Sequence, residues 1–101
     1  MQKFILVISP KEHGHPAQEV PLTSDVVSIG RSAANLLKIL DTGASRKHCL
    51  IIRAGETYKI VDLKSTNGTR VNNVLIKQAI LKNGDQIKIG RQTIIFKVLQ
   101  T

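Results

Sequence analysis

Short apolar runs broken by turn residues set the rhythm of this chain, with period-two alternation in the longer runs. Residues 3–9 read as a first strand, stopped by Pro10, and residues 11–18 as a loop holding Gly14 and Pro16. Residues 19–22 fit a short edge strand, because Pro21 cannot donate to a ladder. Residues 25–29 are the next strand, ending at Gly30. A polar loop over 31–35 leads to the apolar run 36–40, too short for a helix and without a helical face beside it, and then to the loop 41–44. Residues 49–53 and 57–62 read as a hairpin across Ala54, Gly55 and Glu56. Asn67-Gly68 and Asn83-Gly84 are the strongest turn dipeptides. Between them 69–71 and 74–80 are strand candidates, and 86–89 and 93–99 form a closing hairpin across Gly90, Arg91 and Gln92. The pattern gives about ten or eleven short strands, no helix, no repeat and no linker. It predicts an all-β sandwich or barrel, in one domain over residues 1–101.

Composition changes this picture in three ways. Phe4, Tyr58 and Phe96 are the whole aromatic inventory, so Ile, Leu and Val must build the core. Fifteen basic against seven acidic residues give a net charge of +8, which favours an anionic partner: nucleic acid, an acidic membrane surface or a phosphorylated protein. Cys49 is the single cysteine, excluding an internal disulfide and a cysteine-based zinc site. It is expected at the start of a buried strand, as a small hydrophobe more than a reactive thiol. The apolar run of residues 4–8 is too short for a signal-peptide core, and nothing approaches a membrane span. The expectation is a soluble, cytoplasmic protein with no membrane partner.

Three loop segments hold side chains that a bare sandwich does not need: Gly30-Arg31, Ser45-Arg46-Lys47-His48, and residues 65–69 followed by Val71-Asn72. Their chemistry converges on a phosphate. Arginine offers a planar fork of donors that matches phosphate oxygens. Serine and threonine add short hydroxyl donors, and asparagine pairs a donor with an acceptor that suits peptide backbone. Gly68 lets its turn take a positive φ. Each piece also has a plainer reading: Asn67-Gly68 alone is an ordinary hairpin turn, and His48 beside a buried strand is expected to satisfy loop backbone.

Taken together and in this order, the three segments resemble the signature of the forkhead-associated (FHA) domain family: Gly-Arg, Ser-x-x-His, then Ser-Thr-Asn-Gly-Thr-x-Val-Asn. The flanks agree at Val27-Ser28-Ile29, at residues 58–63 and at residues 81–87, so the resemblance spans essentially the whole chain. It implies a two-sheet β-sandwich and a module that binds phosphothreonine in partner proteins without catalysis or cofactor. By that match, Arg31 makes the principal ion pair with the phosphate, while Ser45 and Thr66 add hydroxyl contacts. Arg46 contacts the phosphopeptide, and Asn67 holds its main chain. Gly30, His48, Gly68 and Asn72 support the loops. The family's preference for threonine over serine rests on a pocket for the extra methyl, worth about 1 kcal/mol. Thr42-Gly43-Ala44 carries no charge where some members place one to select a residue of the peptide. The implied partner is a phosphothreonine protein or peptide, either a Ser/Thr kinase or its substrate.

Other functions fit less well. The five arginines are scattered over the loops and the aromatics sit in strand patterns, so a nucleic-acid stacking platform is not expected. An assembly or homodimerisation module that works through a sheet face remains the main alternative. No cluster of carboxylates or activated nucleophile points to an enzyme. His13, His15 and Glu12 are close in sequence, but a fourth ligand is not evident, so no metal is expected. With a first strand expected at residue 3 and no long tail, self-inhibition by a phosphorylated tail is not expected.

Overall fold

Alternating side chains can bury one face of a strand only if a second layer covers it. The computed structural model, which describes residues 2–10 and 16–100, satisfies this with two packed antiparallel-rich sheets. Among the described residues there are eleven strands and no helix. They are β1 (Gln2–Ile8), β2 (Gln18–Pro21), β3 (Val26–Gly30), β4 (Leu37–Lys38), β5 (Cys49–Ala54) and β6 (Thr57–Asp62), then β7 (Thr69–Val71), β8 (Val74–Ile76), β9 (Gln78–Ile80), β10 (Gln86–Ile89) and β11 (Gln92–Gln100). One sheet has the order β2-β1-β11-β10-β7-β8 and the other β4-β3-β5-β6-β9. The protein is thus an all-β two-sheet sandwich, with β4 pairing parallel to β3 and the other strand pairs among the described residues antiparallel.

The inner faces read directly from the alternation. Val27 and Ile29 of β3, Cys49 and Ile51 of β5, and Tyr58 and Ile60 of β6 meet Phe4 and Leu6 of β1, Ile87 and Ile89 of β10, and Ile94 and Phe96 of β11. Burying each large aliphatic side chain contributes about 1.5–3 kcal/mol, so this β-branched layer carries most of the driving force. The aromatics collect between the sheets: the Phe4 and Tyr58 rings meet edge to face at 5.2 Å, and Phe96 lies 5.9 Å from Phe4. The Tyr58 hydroxyl donates to the Ser24 carbonyl at 3.2 Å, so burying this phenol leaves no polar atom unpaired.

The apolar run over residues 74–80 is not one strand. It divides at Lys77 into β8 in one sheet and β9 in the other, and the Lys77 carbonyl accepts a hydrogen bond from the Asp62 N–H. The sandwich closes along this side by passing the chain between layers. Asn67-Gly68 is likewise a crossing from β6 to β7 rather than a hairpin. The next turn, Asn72-Asn73, is a tight hairpin, both residues at positive φ in a two-residue loop between Val71 and Val74.

Candidate functional site

The end of β3, the start of β5, the end of β6 and the start of β7 all lie at one end of the sandwich. This geometry brings the loops 31–36, 41–48 and 63–68 side by side. Two close approaches hold them in register. Gly30 is buried against the 41–48 loop, where a Cβ would overlap the Arg46 carbonyl. Arg31 N–H donates to the Ser45 carbonyl at 2.9 Å, and Ser32 N–H to the Arg46 carbonyl at 3.2 Å.

His48 is fully buried and clamps two loops. The Ser45 N–H donates to its Nδ1 at 3.0 Å, which fixes that nitrogen as a lone pair. Its proton therefore sits on Nε2 and is donated to the Gly68 carbonyl at 2.9 Å. Gly68 takes φ +85°, and a side chain there would run into Leu75. One imidazole thus sets the spacing between Ser45 and the Thr66-Asn67-Gly68 turn.

The side chains at the rim are held by part of their polar atoms and leave the rest open. Arg31 donates from Nε to the Ala44 carbonyl at 3.1 Å, so its exposed guanidinium is aimed while both Nη nitrogens stay unpaired among the described residues. Ser45 Oγ accepts the Thr66 N–H at 2.9 Å and donates to the Thr66 hydroxyl at 3.5 Å, which leaves the Thr66 proton to donate outward. Asn67 is exposed and anchored by Nδ2 on the Gly43 carbonyl at 3.0 Å, with its side-chain oxygen open. The Arg46 side chain is exposed beside them. Asn72 is not at this rim. It lies beyond β7 at the other end of the sheet, where Nδ2 donates to Asp85 and Oδ1 accepts the Gln86 N–H.

Three residues that the sequence reading did not single out complete the frame. Asn35 donates from Nδ2 to the Ser32 and Arg46 carbonyls at 2.9 and 2.6 Å. Asp41 is buried; it accepts the Gly43 N–H at 2.8 Å and the Arg91 N–H at 3.3 Å, tying the β10–β11 turn to the loop before Ser45. Asp62 accepts from the Ser65 N–H, the Ser65 hydroxyl and the Thr69 hydroxyl at 3.1, 2.5 and 2.7 Å. Partial burial pushes its carboxyl up, but these donors outweigh that and hold it below the ordinary value of 3.8. The Asp-x-Gly spacing at 41–43 and the Asp-x-x-Ser spacing at 62–65 are the local signals that mark these side-chain turns. A cleft of about 490 Å³, lined in part by Leu40, Thr42 and Arg91, opens beside the Asp41 loop.

Cys49 is fully buried one residue after His48; burial, then the negative charge of Asp62, push its thiol up to about 12. It is therefore protonated and takes no part in chemistry at this rim. Among the described residues no group of three or more His, Cys, Asp or Glu could hold a metal. Residues Glu12, His13 and His15 lie outside the described residues. The arrangement offers an open guanidinium fork, two hydroxyls and an amide on rigid loops, a receptor for a tetrahedral oxyanion on an extended chain.

Comparison with known proteins agrees with this geometry. A family model described as FHA domain matches residues 27–90. The FHA domain-containing protein FhaA of Mycobacterium tuberculosis is 40% identical over 70 residues, covering 69% of this chain and 13% of FhaA. A solved FHA domain studied for phosphothreonine-dependent interactions superposes with a TM-score of 0.86 at 30% identity, covering 98% of this chain and 99% of that one. The FhaA FHA domain, crystallised with the intracellular domain of another protein, gives 0.82 at 32% identity, covering 93% of this chain and 99% of that one. The chain spans about half or less of the length of the curated relatives it matches first, from 13% to 52%.

Proposed function

The chain belongs to the FHA domain family, and from that premise we propose that it is a phosphothreonine-dependent protein-binding module that performs no catalysis. The observation that carries this reading is the Arg31 guanidinium, fixed through Nε with its terminal nitrogens open, next to a Ser45 hydroxyl whose oxygen is already engaged by the Thr66 N–H. The guanidinium and the Ser45–Thr66 hydroxyl pair stand on neighbouring loops of the same rim.

The phosphate sits on Arg31 through paired charge-assisted bonds and takes further donors from Ser45 and Thr66. Arg46 adds charge, and Asn67 grips the peptide main chain through its open side-chain oxygen. His48, Gly30 and Gly68 do not touch the ligand; they fix the loops so that little order has to be gained on binding. The phosphorylated partner belongs to a Ser/Thr kinase pathway, as kinase or substrate, and the module works in the cytoplasm.

The test is Arg31→Ala. Losing two charge-assisted hydrogen bonds, each about 1.5–3 kcal/mol, weakens phosphothreonine-peptide binding by at least about a hundred-fold. The single bond to the Ala44 carbonyl is worth about 1 kcal/mol, so the Tm falls by no more than about 4–8 °C. Unchanged peptide affinity in the folded variant would remove Arg31 as the anchor.

A further inference from the structure

A second cation is held in position at the opposite end of the sandwich. Arg53, near the end of β5, donates from Nε to the Gly55 carbonyl at 2.8 Å. Its guanidinium carbon stands 5.0 Å from the Phe4 ring centroid and 5.3 Å from that of Tyr58. Asp25 and Glu56 are near it in the chain and the sheet, yet it makes no ion pair among the described residues, and its Nη nitrogens are unpaired. An aimed, exposed, uncompensated guanidinium over aromatic rings contributes only weakly to folding. It is well made to receive a carboxylate, whose two oxygens match its fork.

Beside it is a cleft of about 530 Å³, lined by Phe4, Ile5, Pro21, Leu22 and Leu99. Among the described residues Leu99 is a large apolar side chain left 44% exposed. The charged residues of the lining are Arg53, Lys3 and Glu19, two cations against one anion. We propose that this cleft is a second docking site, which takes an unphosphorylated, extended segment of a partner protein. The segment sets a carboxylate on Arg53 and lays an apolar side chain against Phe4 and Leu99.

Two observations favour a peptide segment as occupant. The cleft is partly open to solvent, whereas sites for small apolar ligands enclose most of the ligand surface. The chain as a whole carries a net charge of +8, which draws an acidic segment in. Arg53 is already fixed by Gly55, so little side-chain freedom is lost on binding. The site does not depend on the Arg31 rim, since β5 runs away from His48 and ends beside Arg53. Both ends can be occupied at once.

The test is NMR titration of isotopically labelled protein with unphosphorylated nine-residue peptides, degenerate except for a fixed Glu and a Leu two positions later. The expected result is saturable shifts at Phe4, Leu22, Arg53 and Leu99, with the Arg31 and Ser45 signals unmoved. A library with Gln in place of Glu binds at least fivefold more weakly. Arg53→Gln lowers affinity at least tenfold, while phosphothreonine-peptide binding stays within twofold and reports an intact fold. Leu99→Lys, at an exposed position, also loses the peptide. Equal binding of the Glu and Gln libraries, an unaffected Arg53→Gln, or no shifts at the cleft overturns the proposal. Shifts with sodium decanoate but not with peptides likewise overturn the partner-segment reading in favour of a small amphiphile.

Discussion

Replacing His48 with alanine removes the buried side chain that joins the Ser45 loop to the Gly68 turn. The ring is fully buried, accepts the Ser45 N–H at 3.0 Å and donates to the Gly68 carbonyl at 2.9 Å. Its loss leaves one backbone donor and one backbone acceptor unpaired, at about 1–3 kcal/mol each. Ser45 and Gly68 are only half-buried, so water entering the vacated space recovers part of this. The net expectation is a loss of about 2–4 kcal/mol, against a total stability of about 5–15 kcal/mol for a chain of this size. In urea the midpoint falls by roughly 1–2 M, because m is about 1–3 kcal/mol/M. His48→Phe keeps a ring of similar size but neither hydrogen bond, so it separates pairing from cavity formation. If pairing is the cause, Phe loses most of what Ala loses, and both variants bind phosphothreonine peptide more weakly through the slackened Ser45 loop. A loss below about 0.5 kcal/mol with unchanged peptide affinity, or rescue by Phe, would refute the clamp.

Two further expectations concern ionisation next to this clamp. The Asp62 carboxyl is depressed below 3.8, so the stability it adds is fully present above 3.8 and is lost as pH falls through the depressed native value. Urea midpoints of the wild type and Asp62→Asn should differ by a constant amount at neutral pH and converge below pH 3.8; a gap that ignores pH contradicts this. Cys49, fully buried with its thiol pushed to about 12, should react with a thiol reagent only in denaturant. Prompt reaction in the native protein would show that the start of β5 opens locally.

Much of this fold was legible because side-chain alternation and sheet faces obey the same period. Val27 and Ile29, Cys49 and Ile51, and Ile87 and Ile89 all face inward as their patterns indicate. The passage at Lys77 was not legible. An unbroken run from Val74 to Ile80 reads as one strand because periodicity records which side a residue faces, not which sheet its backbone joins. Asn67-Gly68 has hairpin chemistry, yet the positive φ of Gly68 serves a crossing between sheets.

At the rim, the Gly-Arg, Ser-x-x-His and Ser-Thr-Asn-Gly segments stood out because their residue types are poor choices for bare connections. The frame beneath them was hidden. Asp41 reaches the Arg91 N–H across 50 positions, and Asn35 reaches the Arg46 carbonyl across 11, so neither link has a sequence period. Asn72 adjoins the third segment in sequence, but the length of β7 carries it to the far end of the sheet.

The most direct test of the central claim is fluorescence polarisation with a degenerate phosphothreonine peptide library, run beside matched phosphoserine and unphosphorylated libraries. The phosphothreonine set should bind several-fold more tightly than the phosphoserine set, the difference of about one buried methyl group. The unphosphorylated set should bind at least about a hundred-fold more weakly. Equal binding of phosphorylated and unphosphorylated peptides, or no binding to any set by the folded protein, would contradict it.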